Sequence, residues 1–140
     1  MTTRGRCLCG GVAFAYEGAP LWQGYCHCES CRRATGSPVA AFIGVDSAGA
    51  RIGGETLAVH DSSPGVRRSF CRRCGTPLAY QADRFPGELH FYAAGLERPQ
   101  DFVPQFHVFY EERLPWFDLD DGLPRYRKGS DGAKMGKDES

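Results

Sequence analysis

Seven cysteines fall in three tight clusters: Cys7 and Cys9 in "CLC", Cys26, Cys28 and Cys31 in "CHCESC", and Cys71 and Cys74 in "CRRC". No other feature restricts the chain as strongly. Thiols this closely spaced can share one ion, and an ion shared between clusters ties distant segments to a single point. An odd number of cysteines also counts against a framework made only of disulfides. The N-terminal stretch "MTTRGRCLCGG" has no apolar core of the kind a secretory signal needs, so a cytoplasmic location is expected, where thiols stay reduced. Reduced, closely spaced cysteines point to metal. Zinc is the expected ion, with an iron–sulfur cluster as the lesser alternative.

The rest of the chain limits what can surround such sites. Its 140 residues suffice for one domain with a modest core. Lysine plus arginine balance aspartate plus glutamate at 17 each, which removes any global pull toward nucleic acid or an anionic membrane surface. No apolar run approaches the ~18 residues of a membrane span. Short runs rich in aromatic and β-branched residues recur at 12–18, 38–45, 56–61, 76–81, 88–95 and 103–110, punctuated by Gly, Pro, Asp or Ser. Many short strands are expected, hence an all-β fold. The best helix candidate is "ESCRRAT", 29–35, stopped by Gly36 and Pro38. From Lys128 the chain is polar apart from Ala133 and Met135, and residues 128–140 are expected to form a flexible tail.

Spacing alone allows a ribbon made from Cys28, Cys31, Cys71 and Cys74. Local backbone chemistry favours another pairing. Cys9 is followed by Gly10-Gly11 and Cys74 by Gly75, whereas Cys31 is followed by Arg32-Arg33. Glycine after a knuckle permits positive φ and lets amides point at the sulfurs. "CLCGG" and "CRRCG" therefore plausibly share one four-cysteine site, leaving Cys26, Cys28 and Cys31 with a second metal. His27 is the nearest spare ligand, but side chains alternate in an extended stretch, so it faces away from the side shared by Cys26 and Cys28. His60, His90 and His107 lie in strand-like runs and read as ordinary half-buried histidines. Four protein ligands mark a structural zinc; three plus an open position mark a catalytic one. Arg72-Arg73 and Arg32-Arg33 could offset the negative charge of the thiolates or simply be solvated, and Arg32 and Arg33 could also hold an anionic substrate.

The blocks "CLCGGVAF", "CHCESCRRATGSP" and "FCRRCGTPL", with the terminal "HVFYEERLPWFDLDDGLPRY" carrying His107, Trp116, Leu123, Pro124 and Tyr126, resemble the glutathione-dependent formaldehyde-activating enzymes and relatives that include centromere protein V. The resemblance runs from residue 5 to about residue 126. It implies a β-tent of several small antiparallel sheets organised around two zinc sites, here a single domain over 1–127. It further implies a structural zinc on Cys7, Cys9, Cys71 and Cys74, and a catalytic zinc on Cys26, Cys28 and Cys31. The implied activity is condensation of formaldehyde with glutathione to S-(hydroxymethyl)glutathione, formally the reverse of a carbon–sulfur lyase.

The chemistry can also be argued from the residues. A substrate thiol entering the open position of a three-thiolate zinc would lose its proton near neutral pH and could attack an aldehyde carbon. Glu29, Ser30, Thr35 and Ser37 are the local candidates for protonating the alkoxide. A non-enzymatic zinc module for protein or nucleic-acid interaction is the alternative, although near-neutral charge argues against nucleic acid. Thiol redox chemistry at Cys28-Glu29-Ser30-Cys31 is a third reading, without the βαβ context of a thioredoxin-like protein.

Overall fold

The computed structural model describes residues 1–139. Strands dominate: β1 (Thr2–Arg6), β2 (Ala13–Glu17), β3 (Trp22–Cys26), β4 (Ala40–Asp46), β5 (Ala50–Gly53), β6 (Leu57–Ser63), β7 (Val66–Cys71), β8 (Pro77–Ala82), β9 (Glu88–Tyr92) and β10 (His107–Val108). The one α-helix among the described residues is α1 (Glu29–Thr35). The fold is all-β, as the punctuated short runs require, and no described helix is long and apolar enough to cross a membrane. The chain divides into two compact units, Met1–Trp22 with Ile43–Phe102, and Gln23–Phe42 with Val103 onward.

In the first unit β1, β2 and β5 form an antiparallel sheet, with Gly5 opposite Phe14 and Ala13 opposite Gly53. Strands β6 to β9 form an antiparallel meander. His60, Arg68, Tyr80 and His90 line up across it in register, and the Arg68 guanidinium lies 5.1 Å over the Tyr80 ring. The alternation in β2 puts Phe14 and Tyr16 on one face. There Phe14 stacks on Phe91 at 4.3 Å between ring centroids, and Tyr16 on Phe91 at 6.3 Å. Val12, Ile43, Leu78 and Phe91 are fully enclosed. Each such side chain contributes about 1.5–3 kcal/mol by leaving water. The same hairpins carry cysteines at their turns: Cys7 and Cys9 between β1 and β2, Cys71 at the end of β7 and Cys74 between β7 and β8.

In the second unit β10 pairs in parallel with β3, His107 opposite Tyr25 and Val108 opposite Cys26. The run 103–110 thus yields a strand of only two residues. Pro104 has no amide to donate, and Phe109 turns into the left-handed region at φ 52°. Helix α1 occupies the expected residues. The Cys28 sulfur caps its first turn by accepting the Cys31 N–H at 3.3 Å, and Gly36 closes it at φ 65°. The irregular stretch after Arg113 is fastened by buried Arg125, whose guanidinium donates to the carbonyls of Leu119 (2.7 Å), Asp121 (3.2 Å) and Leu123 (2.7 Å). Beyond Lys128, Met135 is buried, its N–H bonded to the Arg125 carbonyl at 2.9 Å, and Lys137 lies 3.2 Å from Asp120.

Candidate metal centres

In the first unit the ligand sulfurs of Cys7, Cys9, Cys71 and Cys74 lie within 4.8 Å of one another. This is the pairing argued from the glycines, and the glycines do what that argument asked: Gly10 and Gly75 follow the second cysteine of each knuckle at φ 82° and 81°. Amides then point at sulfur, Gly11 N–H to Cys9 at 3.4 Å, Val12 N–H to Cys7 at 3.3 Å and Cys74 N–H to Cys71 at 3.4 Å. The Thr56 hydroxyl lies 3.1 Å from the Cys71 sulfur, and that of Thr76 3.1 Å from the Cys74 sulfur. The Thr76 hydroxyl and amide draw the Cys74 thiol down to about 5. At Cys71 burial opposes ionisation, but the Thr56 hydroxyl and neighbouring amides prevail and the pKa is lowered. Sulfur–sulfur separations of 3.7 Å for Cys7–Cys9 and Cys9–Cys71 match the edge of a tetrahedron with about 2.3 Å zinc–sulfur bonds. Thiols, spacing and donated hydrogen bonds all fit a closed four-sulfur metal site.

The second unit brings Cys26, Cys28 and Cys31 within 4.8 Å of one another. Cys26 ends β3 and Cys31 lies on α1, so a strand end and a helix converge on one point. Shared hydrogen bonds with Cys28 and Cys31, then burial, push the Cys26 thiol well above its ordinary pKa. A cation bound among these three closely spaced sulfurs would favour their thiolate forms and displace their protons. No fourth Cys, His, Asp or Glu ligand atom joins this group among the described residues.

His27 turns away from the sulfurs, as alternation requires, and enters a buried chain. Its Nε2 lies 2.8 Å from His107 Nδ1, and His107 Nε2 lies 3.0 Å from Asp121 Oδ2. Asp121 in turn accepts from Arg125 Nη1 at 2.8 Å. Burial, then the cationic neighbours, hold His27 neutral at about 4, and burial lowers His107 despite the pull of Asp121. A carboxylate only accepts, so the His107 proton sits on Nε2, His107 Nδ1 accepts from His27 Nε2–H, and His27 Nδ1 is left with a bare lone pair. That atom has no partner among the described residues. His107 is not half-buried as expected but fully enclosed, and His60 is exposed. Tyr110, Asp121 and Arg125 were not read from the sequence as part of this assembly. The visible signal was the terminal block itself, in which Asp121 follows His107 by 14 positions.

The arginine pairs are engaged by the protein. Arg32 donates to the His27 carbonyl at 3.2 Å and the Glu112 carbonyl at 3.3 Å, while Arg33 forms an exposed ion pair with Glu29 at 2.8 Å. Arg72 donates to the Glu55 carbonyl at 2.6 Å, and Arg73 reaches the Cys9 sulfur at 4.0 Å. Among the candidate proton donors, Thr35 donates to the Cys31 carbonyl at 2.8 Å and Ser37 to the Val39 carbonyl at 2.9 Å. The Arg33 hydrogen bond keeps Glu29 ionised, its pKa lowered.

Residues 2–112 match the family model described as glutathione-dependent formaldehyde-activating enzyme. A Halomonas elongata protein provisionally named a glutathione-dependent formaldehyde-activating enzyme is 27% identical over 137 residues, spanning 86% of this chain and 82% of that protein. A crystal structure of a Rhodobacter sphaeroides protein superposes with a TM-score of 0.58 at 28% identity, covering 72% of this chain and 97% of that one. With most of its length, including all seven cysteines, inside the matched region, the chain belongs to the glutathione-dependent formaldehyde-activating enzyme family.

Proposed function

We propose that the protein is a zinc-dependent cytoplasmic enzyme of the carbon–sulfur lyase type, forming or breaking a thiol–aldehyde adduct of the S-(hydroxymethyl)glutathione kind. In this reading Cys7, Cys9, Cys71 and Cys74 hold a structural zinc, and Cys26, Cys28 and Cys31 a catalytic one. The observation that carries it is the second donor set, three sulfurs within 4.8 Å with no fourth protein ligand atom among the described residues. Three protein ligands leave a zinc position for substrate.

A zinc ion bound there would lower the pKa of an entering thiol and so supply thiolate at neutral pH. Overall, the thiol sulfur bonds to the aldehyde carbon, the carbonyl π pair moves to oxygen, and the proton that left sulfur ends on that oxygen. The residues of the chain have positioning roles. Cys26, Cys28 and Cys31 present sulfur from a strand end and a capped helix turn, and Arg32 ties the His27 and Glu112 carbonyls together beside them. Thr35 and Ser37 donate to the Cys31 and Val39 carbonyls, and Glu29 is held ionised by Arg33, so none of these three has a free proton to give the alkoxide. Proximity supplies much of the rate gain, since the addition is facile without a catalyst.

Cobalt substitution tests the reading. Glutathione should shift the thiolate-to-cobalt charge-transfer band, and S-methylglutathione, which has no ionisable thiol, should not. Hemithioacetal exchange, followed with and without the protein, should then be accelerated. If no thiol moves the band, the enzyme reading fails and a non-enzymatic zinc module takes its place. A shift without acceleration would leave thiol binding without catalysis.

A further inference from the structure

We propose that His107 and Asp121 are positioning residues for the three-cysteine site: through a directional hydrogen-bond chain they fix the ring of His27, and with it the turn that presents Cys26 and Cys28. The proposal rests on reading Cys26, Cys28 and Cys31 as a metal site. It does not depend on what the metal does.

His27 lies between two of the ligand residues, so its backbone is their backbone. That backbone is tied on both sides, its N–H to the Val108 carbonyl at 3.1 Å and its carbonyl to Arg32 Nε at 3.2 Å. The ring is the third tie. It meets His107 at 2.8 Å between nitrogens and lies perpendicular to the Tyr110 ring at 5.0 Å between centroids. Three anchors on one residue leave the turn a single orientation, and preorganised ligands are what a metal site with few ligands needs.

The chain is directional because Asp121 can only accept. Its carboxylate fixes the His107 tautomer, and His107 fixes that of His27. Without the carboxylate, His107 could place its proton on Nδ1, where it would face the proton on His27 Nε2. The structure around the chain is arranged to hold Asp121 and Tyr110 in place. Arg125, buried, grips the carbonyls of Leu119, Asp121 and Leu123 as well as the Asp121 carboxylate. Phe109 is the one non-glycine residue with positive φ among the described residues. It turns the chain after β10 so that Tyr110 meets His27 and the Glu112 carboxylate accepts the Glu29 N–H at 3.0 Å, at the start of α1. Left-handed backbone at a bulky residue persists where its surroundings enforce it. Here they enforce contact with the Cys26–Cys31 segment.

The test uses zinc-loaded protein and two replacements at His107. Glutamine can accept from His27 with its carbonyl and donate to Asp121 with its amide, so His107→Gln keeps the direction of the chain. His107→Phe keeps a ring against Tyr25, 5.0 Å away, and removes both nitrogens. Zinc transfer to a chromophoric chelator should show two phases in the wild type. The faster phase should quicken by roughly 10- to 100-fold in His107→Phe and stay close to wild type in His107→Gln, with the slower phase unchanged in both. In ¹⁵N spectra of the wild type, His27 should carry its proton on Nε2 and none on Nδ1. Equal release from the wild type and His107→Phe overturns the proposal, as do equal acceleration in both variants and a proton on His27 Nδ1. A wild type that takes up only one zinc overturns it as well. Should His107→Phe fail to fold, Asp121→Asn decides: faster release of one zinc supports the chain, and unchanged release removes it. Zinc release and thiol binding are separate measurements, so failure here is distinguishable from failure of the proposed activity.

Discussion

The sulfur of Cys9 lies 3.7 Å from that of Cys71, 62 positions further along the chain. This contact fastens the turn of the β1–β2 hairpin to the turn of the β7–β8 hairpin. Closing so long a loop costs chain entropy that a zinc bound there would offset, by on the order of 10 kcal/mol for structural sites at neutral pH. The three-cysteine group closes a loop of only a few residues and has no fourth ligand atom in its cluster among the described residues. Mild chelation should therefore leave about one zinc per chain and a folded protein. Metal analysis beside circular dichroism checks this. Loss of both metals in one cooperative unfolding step would contradict the division of roles.

Substitutions should separate the sites in the same way. Cys74→Ser removes a ligand whose thiol is already inclined to ionise by Thr76, and should give little soluble protein. Cys28→Ser should leave a folded domain with the second metal reduced from about one to near zero per chain. The serine hydroxyl can still accept the Cys31 N–H that the Cys28 sulfur accepts now, so α1 keeps its cap. The reverse outcome, with Cys28→Ser unfolded and Cys74→Ser tolerated, would mean that the roles are exchanged.

The division of the cysteines was legible in the sequence because it is local: glycine follows Cys9 and Cys74 but not Cys31. Strands with alternating apolar residues were legible for the same reason, as was α1 with its glycine stop. β1 reads "TTRGR" and β7 carries Arg67-Arg68, so neither shows an apolar alternation. Pairing with neighbouring strands, not pattern, makes them strands. The His27–His107–Asp121 chain was hidden because it joins residues 80 and 14 positions apart. A lone histidine carries no local mark of its partner. Phe109 was hidden too, since its left-handed backbone is imposed by tertiary contacts.

His90 gives the first unit an acid sensitivity of defined sign. It is buried beside Trp22, Tyr80 and Phe85, and its Nε2 meets Glu88 at 2.9 Å. Burial lowers its pKa below the ordinary 6.5, although Glu88 pulls the other way. The unfolded chain thus binds a proton at a pH where the folded chain does not. Stability from this group is complete above 6.5 and is lost as pH falls from there through the folded value. One proton's difference gives a slope of at most about 1.4 kcal/mol per pH unit. Denaturant titrations of wild type and His90→Gln between pH 7 and pH 5 should show a shallower slope in the variant, whatever its absolute stability. Parallel slopes would mean that His90 titrates alike in both states.

Arg32 and Arg33 follow the same cysteine and should behave differently. Arg32 is occupied by the His27 and Glu112 carbonyls, so its positive charge is spent on holding the turn. Arg33 is largely exposed and, among the described residues, meets the Glu29 carboxylate in an exposed pair of the kind that contributes little. Its guanidinium can therefore exchange that partner for a substrate carboxylate at little cost. Arg33→Gln should weaken binding of glutathione by roughly two- to fivefold while leaving a neutral thiol such as 2-mercaptoethanol unaffected, and added salt should narrow the gap between the two thiols. Arg32→Gln should affect both thiols alike and hasten release of the second zinc, because a positioning contact is lost and not an anion site. Titrating each variant with both thiols, at low and high salt, by the cobalt charge-transfer band separates the two roles. Selective loss of glutathione binding in Arg32→Gln, with second-site zinc retained, would reverse the assignment.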